Sequence, residues 1–219
     1  LFRSRDNMSY IIKLAGKKVV PVLFSDLVSN VRDLAPFGDP EGEGQEAHAA
    51  YADGLAKLWA GNLPAAKSSF YLARDLDPVR FRAAEEINRI IDSLSGKKGV
   101  FKIPAHKHFS DASEDGLIGN NFLTEHVHPN IDGQFLLADA FFNAIVGSEL
   151  IQPGPDPFAA RSADYYRRNW GYTKLDSLVG AYKILQLKSH WPFTSLDAEL
   201  TFRDTFQVSG MVDSLAFTV

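Results

Sequence analysis

Glu125 and His128 stand three residues apart in the stretch Glu125-His126-Val127-His128-Pro129-Asn130-Ile131-Asp132-Gly133, between a polar, Gly-rich loop and the start of an apolar helical pattern. On a tight loop that spacing lets the carboxylate accept a hydrogen bond from one imidazole nitrogen and leaves the other free to take and return a proton. His126 faces the opposite side if the segment is extended, so solvent or a structural hydrogen bond is its expected role. A helix-capping or core role is the plain alternative for His128. A second His-x-His, His106 and His108, could be combined with His126, His128, Glu125 and Asp111 into the donor set of a zinc or iron site. The two pairs fall on different loops and no further ligand motif joins them, so no metal and no other cofactor is expected. Asn30 and Arg32 near a strand end, and Arg82 further on, are candidates for binding a polar substrate group; turn and surface roles are their alternatives.

These side chains need elements to hold them. Met8, Ile11, Ile12 and Leu14 recur at helical spacing up to a Gly16 stop, and Lys17–Phe24 is a β-branched, apolar run that reads as a buried strand. Pro21 fits such a strand only at its start or at an edge. Residues 25–44 are polar and rich in Pro and Gly, a long loop at the end of the strand where open α/β sheets carry ligands. Phe81–Leu94 predicts a helix with Ile87, Ile90, Ile91 and Leu94 on one face, Val100–Pro104 a short strand, and Ala105–Thr124 a loop. Gln134–Val146 predicts a helix with Phe135, Ala138, Phe142 and Ile145 in one stripe. This alternation predicts an α/β fold with a mostly parallel sheet.

Residues 46–78 differ in character. Gly54, Ala66, Phe70, Ala73 and Pro78, with a Gly61-Asn62 turn, resemble one tetratricopeptide repeat, in which small residues let two helices approach closely. Ala50 and Lys57 replace the repeat's usual aromatics, and a lone repeat cannot bury both faces. The segment is therefore expected as an inserted helical hairpin, or the end of an array, packed on the α/β body and able to dock a protein partner; an ordinary hairpin is the alternative. Beyond a Pro-rich linker at 153–157, residues 164–191 read as helical and 198–219 carry no clear pattern. Trp170, Tyr172, Trp191 and Phe193 are expected to pack, with a carbohydrate-binding face as the alternative.

The 219 residues are 45% hydrophobic and 23% charged, ordinary for a folded chain with room for one large or two small domains. A net charge of -4 and the absence of any Lys/Arg cluster larger than pairs such as Lys97-Lys98 and Arg167-Arg168 argue against nucleic acid. No apolar run reaches the ~18–20 residues that span a bilayer. With no Cys, disulfides, thiolate nucleophiles and Cys-ligated zinc are excluded, and the compartment stays open. The chain begins at Leu1 with no basic-then-apolar leader, which reads as a fragment or a processed chain.

Glu125-His126-Val127-His128, followed by Pro129, Gly133 and a helix, resembles the last sequence block of the SGNH (GDSL-type) hydrolases, where Asp-x-x-His precedes the C-terminal helix. Val19–Leu23 with Ser29–Phe37, Leu76–Ala83 with Glu86-Ile87-Asn88, and Asp115–Asn120 resemble further segments of the variety that couples this domain to tetratricopeptide repeats. The resemblance covers residues 8–146, with Glu125 in place of the commoner Asp. It implies a three-layer αβα, flavodoxin-like SGNH domain over residues 1–146, truncated at its N-terminus, with the hairpin at 46–78 and a mainly helical extension at 147–219. It further implies an esterase acting by acyl transfer on an O-acylated small molecule or carbohydrate, with His128 and Glu125 catalytic. The family's Gly-Asp-Ser and Gly-x-Asn-Asp segments precede its fourth strand and have no match in Leu1–Gly16, which implies that the nucleophile is missing from this stretch and that the chain alone is inactive. A rival alignment on Phe24-Ser25-Asp26-Leu27 would make Ser25 the nucleophile. A different reading is an interaction module on an inactive α/β platform.

Overall fold

The computed structural model describes residues 2–151 and 161–194. The chain divides into two compact units, Leu1–Pro157 and Phe158–Val219. The first is broadly α/β: six α-helices, one short 3-10 helix and a parallel pair of strands among its described residues.

Helix α1 (Phe2–Lys17) runs through Gly16 instead of stopping there. It ends where Val19 takes φ 56°, with the Val20 N–H donating to the Ala15 carbonyl (3.0 Å) and the Val19 N–H to the Gly16 carbonyl (3.3 Å). That is a Schellman closure with valine in the left-handed position that glycine usually fills. The extended run that follows is shorter than its apolar length predicts. Strand β1 is Val22–Ser25 only, because the Schellman turn consumes residues 18–20 and Pro21 lies just ahead of the strand, where its missing N–H costs nothing.

Residues 26–44 carry no helix or strand. Helices α2 (Gln45–Trp59) and α3 (Leu63–Leu76) then form a hairpin. Asn62 caps α3 by accepting from the Ala65 N–H, and Gly54 lies so close to Phe70 that a Cβ there would sit 2.8 Å from its ring. The inner face of the hairpin, Ala66 and Phe70 with Tyr51, Leu55 and Leu58, packs on Val31 and Leu117. Helix α4 is Glu85–Leu94, four residues shorter at its start than predicted, because residues 81–84 hold Arg82 in the loop lattice described below. Ile90, Ile91 and Leu94 are its buried face.

Strand β2 (Val100–Ile103) pairs parallel to β1, Val22 opposite Val100 through Ser25 opposite Ile103. The predicted loop at 105–124 opens instead with helix α5 (Ala105–Ala112), whose Phe109 is fully buried beside Ile118 and Leu123. Helix α6 (Ile131–Gly147) starts three residues before its apolar pattern does, because Asn130 caps it by accepting from the Gly133 N–H. Its packed side is also not the predicted stripe. Gly133, Leu136, Leu137 and Ala140 face the core, while Phe142 is exposed.

In the second unit α7 (Ala163–Asn169) and α8 (Lys174–Lys188) replace the continuous helical reading of 164–191. Thr173 and Asp176 make a capping box that starts α8 afresh, and Trp170 stacks on Tyr172 at 4.8 Å. The predicted linker at 153–157 and the segment 198–219 lie outside the described residues.

Two substitutions check this account. Val19→Gly removes the cost of a β-branched residue in the left-handed region and is expected to raise folding stability by about 1 kcal/mol, read as a higher urea midpoint. Gly54→Ala drives a methyl into the Phe70 ring and is expected to lower it by about 1–3 kcal/mol.

Candidate functional site

The carboxyl ends of β1 and β2 open onto three loops that are knitted together by backbone and short polar side chains. The Asn30 N–H donates to the His126 carbonyl (2.9 Å), and the Val31 and Arg32 N–H groups share the Ile118 carbonyl (3.0 and 3.1 Å). Asn30 Nδ2 donates to Asn120 Oδ1 (2.8 Å), while Asn30 Oδ1 accepts from the Asp33 N–H (3.0 Å). Asp33 in turn accepts from the Asn120 N–H (2.7 Å).

Residues 122–130 double back as a clamp. Leu123 bridges to Pro129, Thr124 donates to the His128 carbonyl through both its N–H and its hydroxyl (2.8 Å each), and the Asn130 N–H donates to the Phe122 carbonyl (2.9 Å). The Phe122 carbonyl also lies against Gly133, whose missing side chain is what lets the first turn of α6 approach.

At the centre of the clamp Glu125 is fully buried, 0% exposed. Its Oε1 accepts from the His128 N–H (2.8 Å) and its Oε2 from the His126 N–H (2.8 Å). The Nδ1 atoms of both imidazoles also contact it, His128 on Oε1 and His126 on Oε2. A carboxylate only accepts, so the His128 proton sits on Nδ1 and Nε2 of the neutral ring is the free base. The His128 side chain is 68% exposed, so Nε2 is open to an incoming group. The loop is thus tight and not extended, so His126 does not face the opposite side, and both histidines turn toward the acid.

His126 goes inward, its ring edge-on to Phe37 and Phe81 at 6.0 and 5.6 Å. Burial, the neighbouring His128 and the Arg82 guanidinium lower its pKa to about 4. His106 is also lowered, chiefly by burial, and its Nε2 meets the Tyr71 hydroxyl at 2.5 Å.

The candidate binding residues are committed elsewhere. Arg82 is buried, donating to the Asn30 and Leu34 carbonyls (3.0 and 2.8 Å) and to Asp77 Oδ2 (3.2 Å). Asp77 also accepts from the Phe37, Gly38 and Val79 N–H groups. Asn30 is buried with both side-chain atoms bonded, and Arg82 is buried with both terminal nitrogens bonded and its Nε enclosed without a hydrogen-bond partner, so these two position the loops. Arg32 lies at the surface beside Asp33, 3.8 Å away. Ser25 ends β1 with its hydroxyl donating to the Asp26 carbonyl (2.9 Å), and among the described residues no hydroxyl bonds the imidazole of His128.

The His106–His108 pair is not the extended chelating pair that a loop would make. It lies on α5, where residues two apart point to different sides: His106 meets Tyr71 and His108 Nδ1 the Pro104 carbonyl (3.0 Å). Asp111 pairs with Lys107. Among the described residues no group of three His, Asp or Glu is placed to hold a metal ion. Sequence reasoning missed Asp26 and Asn88. Asp26 is buried after β1 and accepts from the His106 N–H (2.7 Å), and Asn88 bonds both the N–H and the carbonyl of Leu27 (2.8 and 3.1 Å). Short polar residues on or beside apolar elements were the available signal.

Glu125→Ala strips the acceptor from two N–H groups and the His128 imidazole, and is expected to cost about 3 kcal/mol or more in urea unfolding. The pH dependence has a fixed sign. Unfolded histidine takes a proton near pH 6.5, whereas folded His126 resists it down to about 4, so stability is complete above pH 6.5 and is lost as pH falls toward 4. His126→Asn is expected to flatten that loss in unfolding curves taken across the window. Comparison of the chain with protein-family models, with curated proteins and with solved structures finds no match.

Proposed function

We propose that this chain carries the histidine–acid part of an SGNH-type ester hydrolase site, in a three-layer αβα domain bearing a tetratricopeptide-like hairpin. The observation that carries the reading is the His128 imidazole, held through Nδ1 by the buried carboxylate of Glu125 and open at Nε2. A serine hydroxyl attacks the ester carbonyl of an O-acylated small molecule or carbohydrate while Nε2 of His128 takes its proton. The imidazolium, stabilised by Glu125, returns that proton to the departing alkoxide, and water repeats the cycle on the acyl-enzyme. Glu125 serves where the family more often has Asp, its longer side chain reaching the ring from a loop bound at both backbone N–H groups. The nucleophile belongs to sequence ahead of β1, where the resemblance places the Gly-Asp-Ser segment.

His128→Ala removes one hydrogen-bond donor from the buried Glu125 carboxylate and is expected to cost about 1–3 kcal/mol in urea unfolding with the native circular dichroism kept. In a polypeptide holding this chain together with the serine segment it is expected to lower p-nitrophenyl acetate turnover by about 10³-fold or more. Unchanged turnover refutes the reading. The 219-residue chain alone is expected to hydrolyse that ester no faster than its His128→Ala variant. Hydrolysis by the chain alone that Ser25→Ala abolishes would move the nucleophile to Ser25.

The hairpin favours a second reading, an interaction module on an inactive platform, through Trp59 and Leu72, which stand exposed on it. That reading requires capture of a protein partner that Trp59→Ala and Leu72→Ala abolish, with no His128-dependent turnover.

A further inference from the structure

The end of the sheet opposite His128 carries a different surface. The Schellman turn after α1 and the turn before β2 lie side by side, tied by the Val22 N–H donating to the Gly99 carbonyl (2.8 Å). Between them is an open bowl of about 400 Å³ lined by Ile12, Val20, Val22, Phe101 and Leu150, with Val19 on its wall. Val19 is 91% exposed and Val20 55%. A β-branched residue is held in the left-handed region at a position where glycine would relieve the strain, and what the chain keeps by it is an apolar side chain pointing into solvent. Tyr10, Ile11 and Leu14 continue the exposed apolar surface along α1.

Charge gathers at the same place. Residues 3–20 hold Arg3, Arg5, Lys13, Lys17 and Lys18 against the single acid Asp6, in a chain whose net charge is -4. The parallel pairing brings Lys97 and Lys98 to the same end. Among the described residues none of the five lysines stands in an ion pair. Glu149, beside Leu150, is the one acid adjoining the bowl in sequence.

We propose that this end of the molecule docks on the surface of an anionic lipid bilayer, with Val19 and Val20 entering the headgroup–acyl boundary and Lys17, Lys18, Lys97 and Lys98 meeting lipid phosphates. Exposed apolar residues ringed by unpaired lysines are the physical pattern of interfacial binding. The bowl is open and its tip projects, which suits a surface better than enclosure of a soluble fatty acid. The proposal uses neither Glu125 nor His128, so vesicle binding and ester turnover test the two readings separately.

The 219-residue chain is to be sedimented with phosphatidylcholine vesicles, with and without phosphatidylglycerol. Binding is expected only with phosphatidylglycerol present and is expected to weaken as salt rises. The double variant V19G/V20S and the variant K17E/K18E/K97E/K98E are each expected to lower the affinity by about tenfold or more. Val19→Gly relieves backbone strain, so loss of binding in V19G/V20S with native circular dichroism is not a folding failure. Absence of sedimentation with phosphatidylglycerol vesicles, or equal binding by the variants, overturns the proposal. So does saturable binding of dodecanoate, or self-association that V19G/V20S abolishes, when either occurs without vesicle binding.

Discussion

Everything near the candidate site depends on one fully buried carboxylate. A buried carboxylate needs donors, and the chain gives Glu125 two backbone N–H groups and the His128 imidazole, with the His126 ring against its other oxygen. Satisfying one charge from residues 126 and 128 forces the loop into a tight turn around the acid. The turn then decides where both rings go: one into an aromatic wall formed by Phe37 and Phe81, the other out to solvent. The orientation of His128 is thus a by-product of burying Glu125, and its free nitrogen follows from the acceptor-only nature of a carboxylate.

The surrounding loops hold this arrangement still through short polar side chains. Asn30, Asp33 and Asn130 each bond backbone groups of a neighbouring loop or of their own, and Asn120 accepts from the Asn30 side chain. Leu123 and Phe122 anchor the base of the clamp against Phe109 and α6. Rigidity at the site therefore comes from elements distant in sequence, and very little of it from the two-stranded sheet.

Legibility in the sequence followed the range of the interaction. The Glu125–His128 pairing is local, and three-residue spacing was enough to find it. The hairpin was likewise readable, since Gly54 and Phe70 are complementary in size. Boundaries set by capping were read less well: Gly16 looked like a stop, but the left-handed residue is Val19, and Asn130 started α6 earlier than its apolar pattern did. Roles fixed by long-range partners were not legible. Nothing in the residues around Arg82 announces that its guanidinium is spent on Asn30, Leu34 and Asp77, and nothing near His106 announces that its segment is a helix. The stripe of α6 failed for the same reason, because which side of an apolar helix is covered depends on where α5 lies.

The Asp77–Arg82 pair has a bearing on how this chain can be rearranged. Asp77 is the residue on which α3 ends, and it also organises the turn at Phe37 and Gly38 that leads into α2. The helical hairpin is consequently no cassette that could be excised at its two ends and the gap resealed. Cutting it out would strand a guanidinium in the interior beneath the loops that carry the histidines, and any lineage that gained or shed those helices had to rebuild the seam at the same time.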